Sequence, residues 1–87
     1  MYNTVVTIPR TAAADLARFK SAEVPLDVIA NIPITETAAQ AEALATKKLT
    51  ATLADPSYKY EYIRSMDSVT LNEDGRSWAV SFTIAGD

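Results

Sequence analysis

Hydrophobic and polar residues alternate most regularly toward the C-terminus. Trp78, Val80, Phe82 and Ile84 take every second position from Ser77 to Ile84, which predicts a strand with one buried face. Upstream, Val69 and Leu71 keep the same rhythm, and Asp74-Gly75 lies between the two runs. An Asp-Gly pair suits the centre of a two-residue type I′ turn, where both central residues need positive φ. The resulting hairpin sets Glu73 opposite Arg76, Leu71 opposite Trp78 and Val69 opposite Val80. A one-residue slip would undo each of these matches, because side chains alternate with a period of two.

From Tyr58 to Ile63 the pattern is again that of a strand, with Tyr58, Tyr60 and Tyr62 on one face and Lys59 and Glu61 on the other. Its apolar parity is even, whereas that of Val69 and Leu71 is odd. A flat strand cannot change parity, so a bulge or a turn belongs within Arg64 to Ser68; without one, Asp67 would face Phe82.

At the other end, Thr4, Val6 and Ile8 alternate with Asn3, Val5 and Thr7, predicting a strand over Tyr2 to Ile8 that Pro9 ends. Thr11 then caps a helix from Ala12 to about Ser21, with Ala13, Leu16, Ala17 and Lys20 on one face and an Asp15–Arg18 pair three residues apart. Glu23 to Pro25 closes it, since the residue before proline resists the α conformation. Val28, Ala30, Ile32 and Ile34 alternate over Leu26 to Ile34 and predict another strand, held to an edge by Pro33. The strongest helical pattern follows. Thr37 and Gln40 have capping-box spacing, and Ala38, Ala41, Leu44, Ala45, Leu49, Thr52 and Leu53 recur at helical intervals until Asp55-Pro56. Glu36 suits the positive end of that helix, and Lys47 and Lys48 its negative end.

The order β-α-β-α-β-β predicts an α+β chain, a two-layer sandwich. It has a mainly antiparallel four-to-five-stranded sheet and two helices on one face. Eighty-seven residues correspond to a single domain, residues 1–87. With 48% hydrophobic and 22% charged residues, the chain has the composition of a folded globular protein rather than a disordered one. No cysteine is present, so disulfides supply no stability. Met1-Tyr2-Asn3-Thr4 lacks the basic start and apolar run of a secretory signal, and no apolar stretch approaches the ~20 residues that span a bilayer. A cytoplasmic location is the expectation, the host cytoplasm if the protein is viral.

The formal charge of −3 is mild, and the eight basic residues are scattered along the chain. They do not form the footprint of a duplex-DNA binder, and the acidic excess is too dispersed for a DNA mimic. Arg10, Arg18 and Lys20 form either a small basic patch around the first helix or ordinary solvated faces. Histidine and cysteine are both absent, which removes the commonest general base, the soft metal ligands and the thiol nucleophile. Glu73-Asp74 sits at a hairpin tip, where water screens both carboxylates. With only Gly75 and Gly86, there is no phosphate-cradling glycine loop. The expectation is therefore a non-enzyme without cofactor or metal.

The tyrosine stripe is the candidate site. Tyr58, Tyr60 and Tyr62, flanked by Lys59 and Arg64, offer the rigid amphipathic area common at protein interfaces; packed beneath the long helix, the same residues would instead be core. A protein partner fits this surface better than nucleic acid, since Glu61 opposes the two cations. The predicted edge strand Leu26 to Ile34, without protecting lysines, is a candidate for pairing between copies into a homo-oligomer.

From Val28 to Ile84 the order strand, Ala-rich helix, strand, hairpin resembles that of small phage-encoded accessory proteins, some short anti-CRISPR inhibitors among them. Thr37-Ala38-Ala39-Gln40-Ala41 opening the helix, and Glu73-Asp74-Gly75-Arg76 followed by Trp78, carry the likeness. The chain departs from it by an added N-terminal strand and helix and by having no dense charged face. What the resemblance implies is a small non-catalytic protein that inhibits a host complex by occupying its surface. The alternatives are a self-assembling virion or assembly subunit and a single-strand nucleic-acid binder that stacks bases on the tyrosines.

Overall fold

The computed structural model describes residues 1–86. Its elements run β1 (Tyr2–Pro9), α1 (Ala13–Ser21), α2 (Leu26–Ala30), α3 (Ala38–Leu53), a 3-10 turn (Pro56–Tyr58), β2 (Glu61–Leu71) and β3 (Ser77–Gly86). The class is α+β, and the sheet is antiparallel with three strands in the order β1-β3-β2. That is fewer than the four to five expected.

The missing strand is Leu26 to Ile34. Pro25 takes the N-cap position of α2, and Val28 and Ile29 N–H groups both donate to Pro25 O, at 3.1 and 3.2 Å. Asn31 Nδ2 returns to Asp27 O at 2.7 Å. The period-two alternation there is incidental, since Ile29, which falls outside it, is the buried residue of α2. The strand with which the phage-protein resemblance begins is thus a short helix.

β3 is the middle strand and carries the heart of the core. Val80, Phe82 and Ile84 are fully buried, and Ile8 from β1 and Ala41, Ala45 and Leu49 from α3 complete the cluster. Only α3 lies on the sheet, in place of the two helices expected. Its buried alanines allow close approach, and its N-terminus has the capping box read from Thr37 and Gln40: Gln40 N–H donates to Thr37 Oγ1, and Thr37 N–H to Gln40 Oε1. α1 and α2 pack against each other, and α1 buries no residue. The cap of α1 is Ala12 rather than Thr11, with Asp15 Oδ2 accepting the Ala12 N–H at 2.9 Å.

β2 pairs with β3 through two register shifts, between Ile63 and Ser65 and between Met66 and Ser68. Arg64 and Asp67 are the extra residues. Each shift reverses parity, so Ile63, Met66 and Val69 all reach the core face. The bulge expected within Arg64 to Ser68 is therefore present, and Met66 takes the place opposite Phe82. Leu71 faces Trp78 and Val69 faces Val80, as read from the sequence.

The turn between them is not type I′. Gly75 has φ +68 but Asp74 does not share its positive φ, and Gly75 N–H donates to Asn72 O at 2.8 Å. Asn72 N–H donates to Ser77 O, so Glu73 to Arg76 form the connection and Glu73 makes no ion pair with Arg76. Asp74 Oδ1 instead accepts the Arg76 N–H at 2.9 Å, which stabilises the compact turn without a second left-handed residue. Among the described residues no helix is long and apolar enough to cross a membrane.

Candidate functional site

The tyrosines do not form one stripe. Asp55 Oδ1 accepts the Ser57 N–H at 2.9 Å and Pro56 opens a 3-10 turn that takes up Tyr58, so only Tyr62 of the three lies in a strand. Tyr58 is half-buried, while Tyr60 and Tyr62 are 61% and 55% exposed. Lys59 Nζ lies 5.3 Å from the centroid of the Tyr60 ring, a cation–π contact at a wet site. Arg64 sits exposed in the first bulge. Neither the packed-core reading nor the single-platform reading of these residues describes what forms.

Tyr58 has a different neighbourhood. It lies with Glu61 near Tyr2, whose phenol ionises above its ordinary range, through desolvation first and then through Glu61. That cluster joins chain positions far apart, and no local pattern announces it.

The sheet has one face without a helix. Asn3, Val5 and Thr7 of β1, Ser81, Thr83 and Ala85 of β3, and Tyr62, Ser65 and Ser68 of β2 share the parity opposite to the core. A polar row crosses it. Thr83 Oγ1 lies 2.6 Å from Asp67 Oδ2 and 3.2 Å from Asn3 Oδ1, and Ser65 Oγ donates to Asp67 Oδ1 at 2.8 Å. These hydroxyl donors, Thr83 first, hold the Asp67 carboxyl below its usual range.

The two sheet edges differ. β2 has its bulges and the charged Glu61, Arg64 and Asp67, all devices that discourage pairing. β1 pairs with β3 over Tyr2–Pro9 without a break and carries no charge, and no strand among the described residues covers its other side. Arg10 N–H donates to Arg76 O at 2.8 Å, continuing the ladder one step past Pro9 and Ser77. Because antiparallel bonding alternates, even-numbered residues of β1 then bond inward and Asn3, Val5 and Thr7 point their N–H and C=O groups outward. Beyond them the edge is closed. Thr35, 1% exposed, donates through Oγ1 to Pro9 O at 2.5 Å and accepts the Thr11 N–H at 2.8 Å. Its N–H reaches Thr11 O at 2.9 Å, and its carbonyl accepts Trp78 Nε1 at 2.6 Å.

Basic residues scattered in sequence also meet. Arg10 and Arg18 line one open cleft of about 540 Å³, but the third member is Arg76 from the hairpin; Lys20 lies on another face of α1, beside Leu16 and Ile29. Among the described residues no group of three or more acidic, histidine or cysteine side chains has the geometry of a metal site. No family model, curated protein or solved structure matches the chain.

Proposed function

We propose that the protein is a non-catalytic protein-interaction module that joins a second copy of itself through the outer edge of β1. The observation that carries this reading is that edge: uncharged, free of bulges, with Val5 58% exposed, opposite a sheet edge that has both protections. Thr35 closes this edge at Pro9 and Thr11, and an antiparallel register centred on Val5 uses the outward groups of Asn3, Val5 and Thr7. Val5 then faces its own counterpart, and Asn3 faces Thr7 of the second copy. Each facing pair exchanges two backbone bonds. Such a contact is isologous and closes on itself, and it brings no like charges together. The result is one continuous sheet with both α3 helices on the same face.

Val5→Pro tests it directly. The Val5 N–H points away from β3, so proline removes an outward donor while keeping every bond inside the sheet. Light scattering over a roughly hundredfold range of concentration should give a dimer for the wild type and a monomer for Val5→Pro, with circular dichroism unchanged. A wild-type monomer throughout, or a variant that dimerises equally well, overturns self-association. The exposure of Tyr60 and Tyr62 favours a second reading, a foreign protein held at the opposite side of the sheet. On that reading Tyr60→Ala/Tyr62→Ala would leave the β1 dimer intact and abolish partner capture in cross-linking.

A further inference from the structure

Arg10 and Arg76 stand opposite each other one step beyond the last ladder pair of β1 and β3, joined by the Arg10 N–H to Arg76 O bond. Like charges facing across a strand pair cost stability. Here the nearby acids offset them only in part: Asp15 feels the charge of Arg10, but less than that of Arg18. Asp15 accepts the Ala12 N–H and pairs with Arg18, the single ion pair among the described residues, and Asp74 is turned back onto the Arg76 N–H. The guanidinium of Arg10 has only a long contact of 3.5 Å to Gly75 O. α1 closes the other wall with Arg18 and the half-exposed ring of Phe19. Three guanidinium groups against one carboxylate thus line a cleft in a chain whose net charge is −3.

We propose that this cleft binds a phosphate group, free or carried on a small ester. Guanidinium forks match the oxygens of phosphate in bidentate geometry, and a doubly charged anion relieves the Arg10–Arg76 repulsion in a way that a single carboxylate does not. The cleft, at about 540 Å³, is larger than the anion itself, and Phe19 gives an aromatic plane where the remainder of an ester would lie. The site is independent of the β1 edge.

The test is an NMR titration of the full chain, at low ionic strength, with inorganic phosphate, adenosine monophosphate and acetate in parallel. Phosphate should shift the amides of Arg10, Ala12, Gly75 and Arg76 saturably, and Arg76→Gln should weaken binding about tenfold or more, as expected for a charge-assisted contact. Arg10→Gln should do the same, whereas Lys20→Gln, outside the cleft, should leave binding unchanged. Tighter binding of the nucleotide, lost in Phe19→Leu, identifies an ester as the natural source; equal binding identifies the free anion. Shifts that fail to saturate, that persist in the arginine variants, or that acetate reproduces at the same concentration overturn the proposal. The arginine side chains are exposed, and the melting temperatures of the variants establish that a loss of binding is not a loss of fold.

Discussion

Thr35 ties the helical segment to the sheet with every polar group it has. Its hydroxyl is buried between Pro9 O and the Thr11 N–H, so valine, nearly the same shape, would strand a carbonyl and an amide together. Leaving buried polar groups unpaired costs about 1–3 kcal/mol, and in a domain of this size each kcal/mol shifts melting by roughly 4–8 °C. Thr35→Val should therefore melt several degrees lower in a thermal scan, while Thr37→Val, at an exposed cap, should lose less. Glu23 presents the opposite case. It has φ 58 in the position that follows the end of α1, where Val24 N–H reaches Phe19 O and Glu23 N–H reaches Lys20 O. Glycine usually fills that position, since a side chain there costs about 1–2 kcal/mol. Glu23→Gly should raise the melting temperature, and Glu23→Val should lower it.

At the scale of elements, β2 shows what a sequence states and what it withholds. The parity change between Ile63 and Val69 is visible in the letters, and it can be resolved only by extra residues, so the bulge was readable. So were the capping box of α3 and the pairing of Leu71 with Trp78. Leu26 to Ile34 misled because four alternating apolar residues weigh no more than a proline at the start of a helix. The tyrosines misled for a related reason: Asp55-Pro56 ends α3, but the side chain of Asp55 also starts a new turn, and that turn absorbs Tyr58. Arg76 joining Arg10 was hidden altogether, because cross-strand neighbours at that distance are set by register and not by composition. The second bulge also makes a pH prediction. Asp67 titrates below its ordinary range because Thr83 and Ser65 donate to the ionised form. Its contribution is therefore complete above the unfolded carboxylate range and disappears as pH falls through the lower, folded value. Asp67→Asn should flatten the acid limb of melting temperature against pH, lowering the melting temperature at neutrality and leaving it little changed below the folded titration of Asp67.

The whole molecule is extended, 50 × 29 × 17 Å with a radius of gyration of 15.2 Å, where about 12 Å is usual for this length. The α1–α2 segment stands apart from the packed core, its two helices contacting each other rather than α3 or the sheet. Helix α1 buries nothing, α2 buries Ile29 alone, and neither belongs to the core cluster of α3 and the sheet. Leu26 and Val28 remain exposed, so little apolar burial offsets the entropy of ordering some eighteen residues. What holds the segment is polar: the Thr35 junction at its end and the ladder bond of Arg10 at its beginning. Stability is then uneven, with local opening of the segment at a smaller free energy than global unfolding. Hydrogen exchange should find the amides of α1 and α2 exchanging about a hundredfold or more faster than those of Val80, Phe82 and Ile84. Within β1 the same measurement separates the two faces of the strand. Thr4, Val6 and Ile8 bond inward and should be slow under all conditions, while Asn3, Val5 and Thr7 should slow only as the concentration rises and a second strand covers them. Exchange of α1 as slow as that of β3 would mean that the segment and the core unfold as one unit, contrary to the burial that separates them.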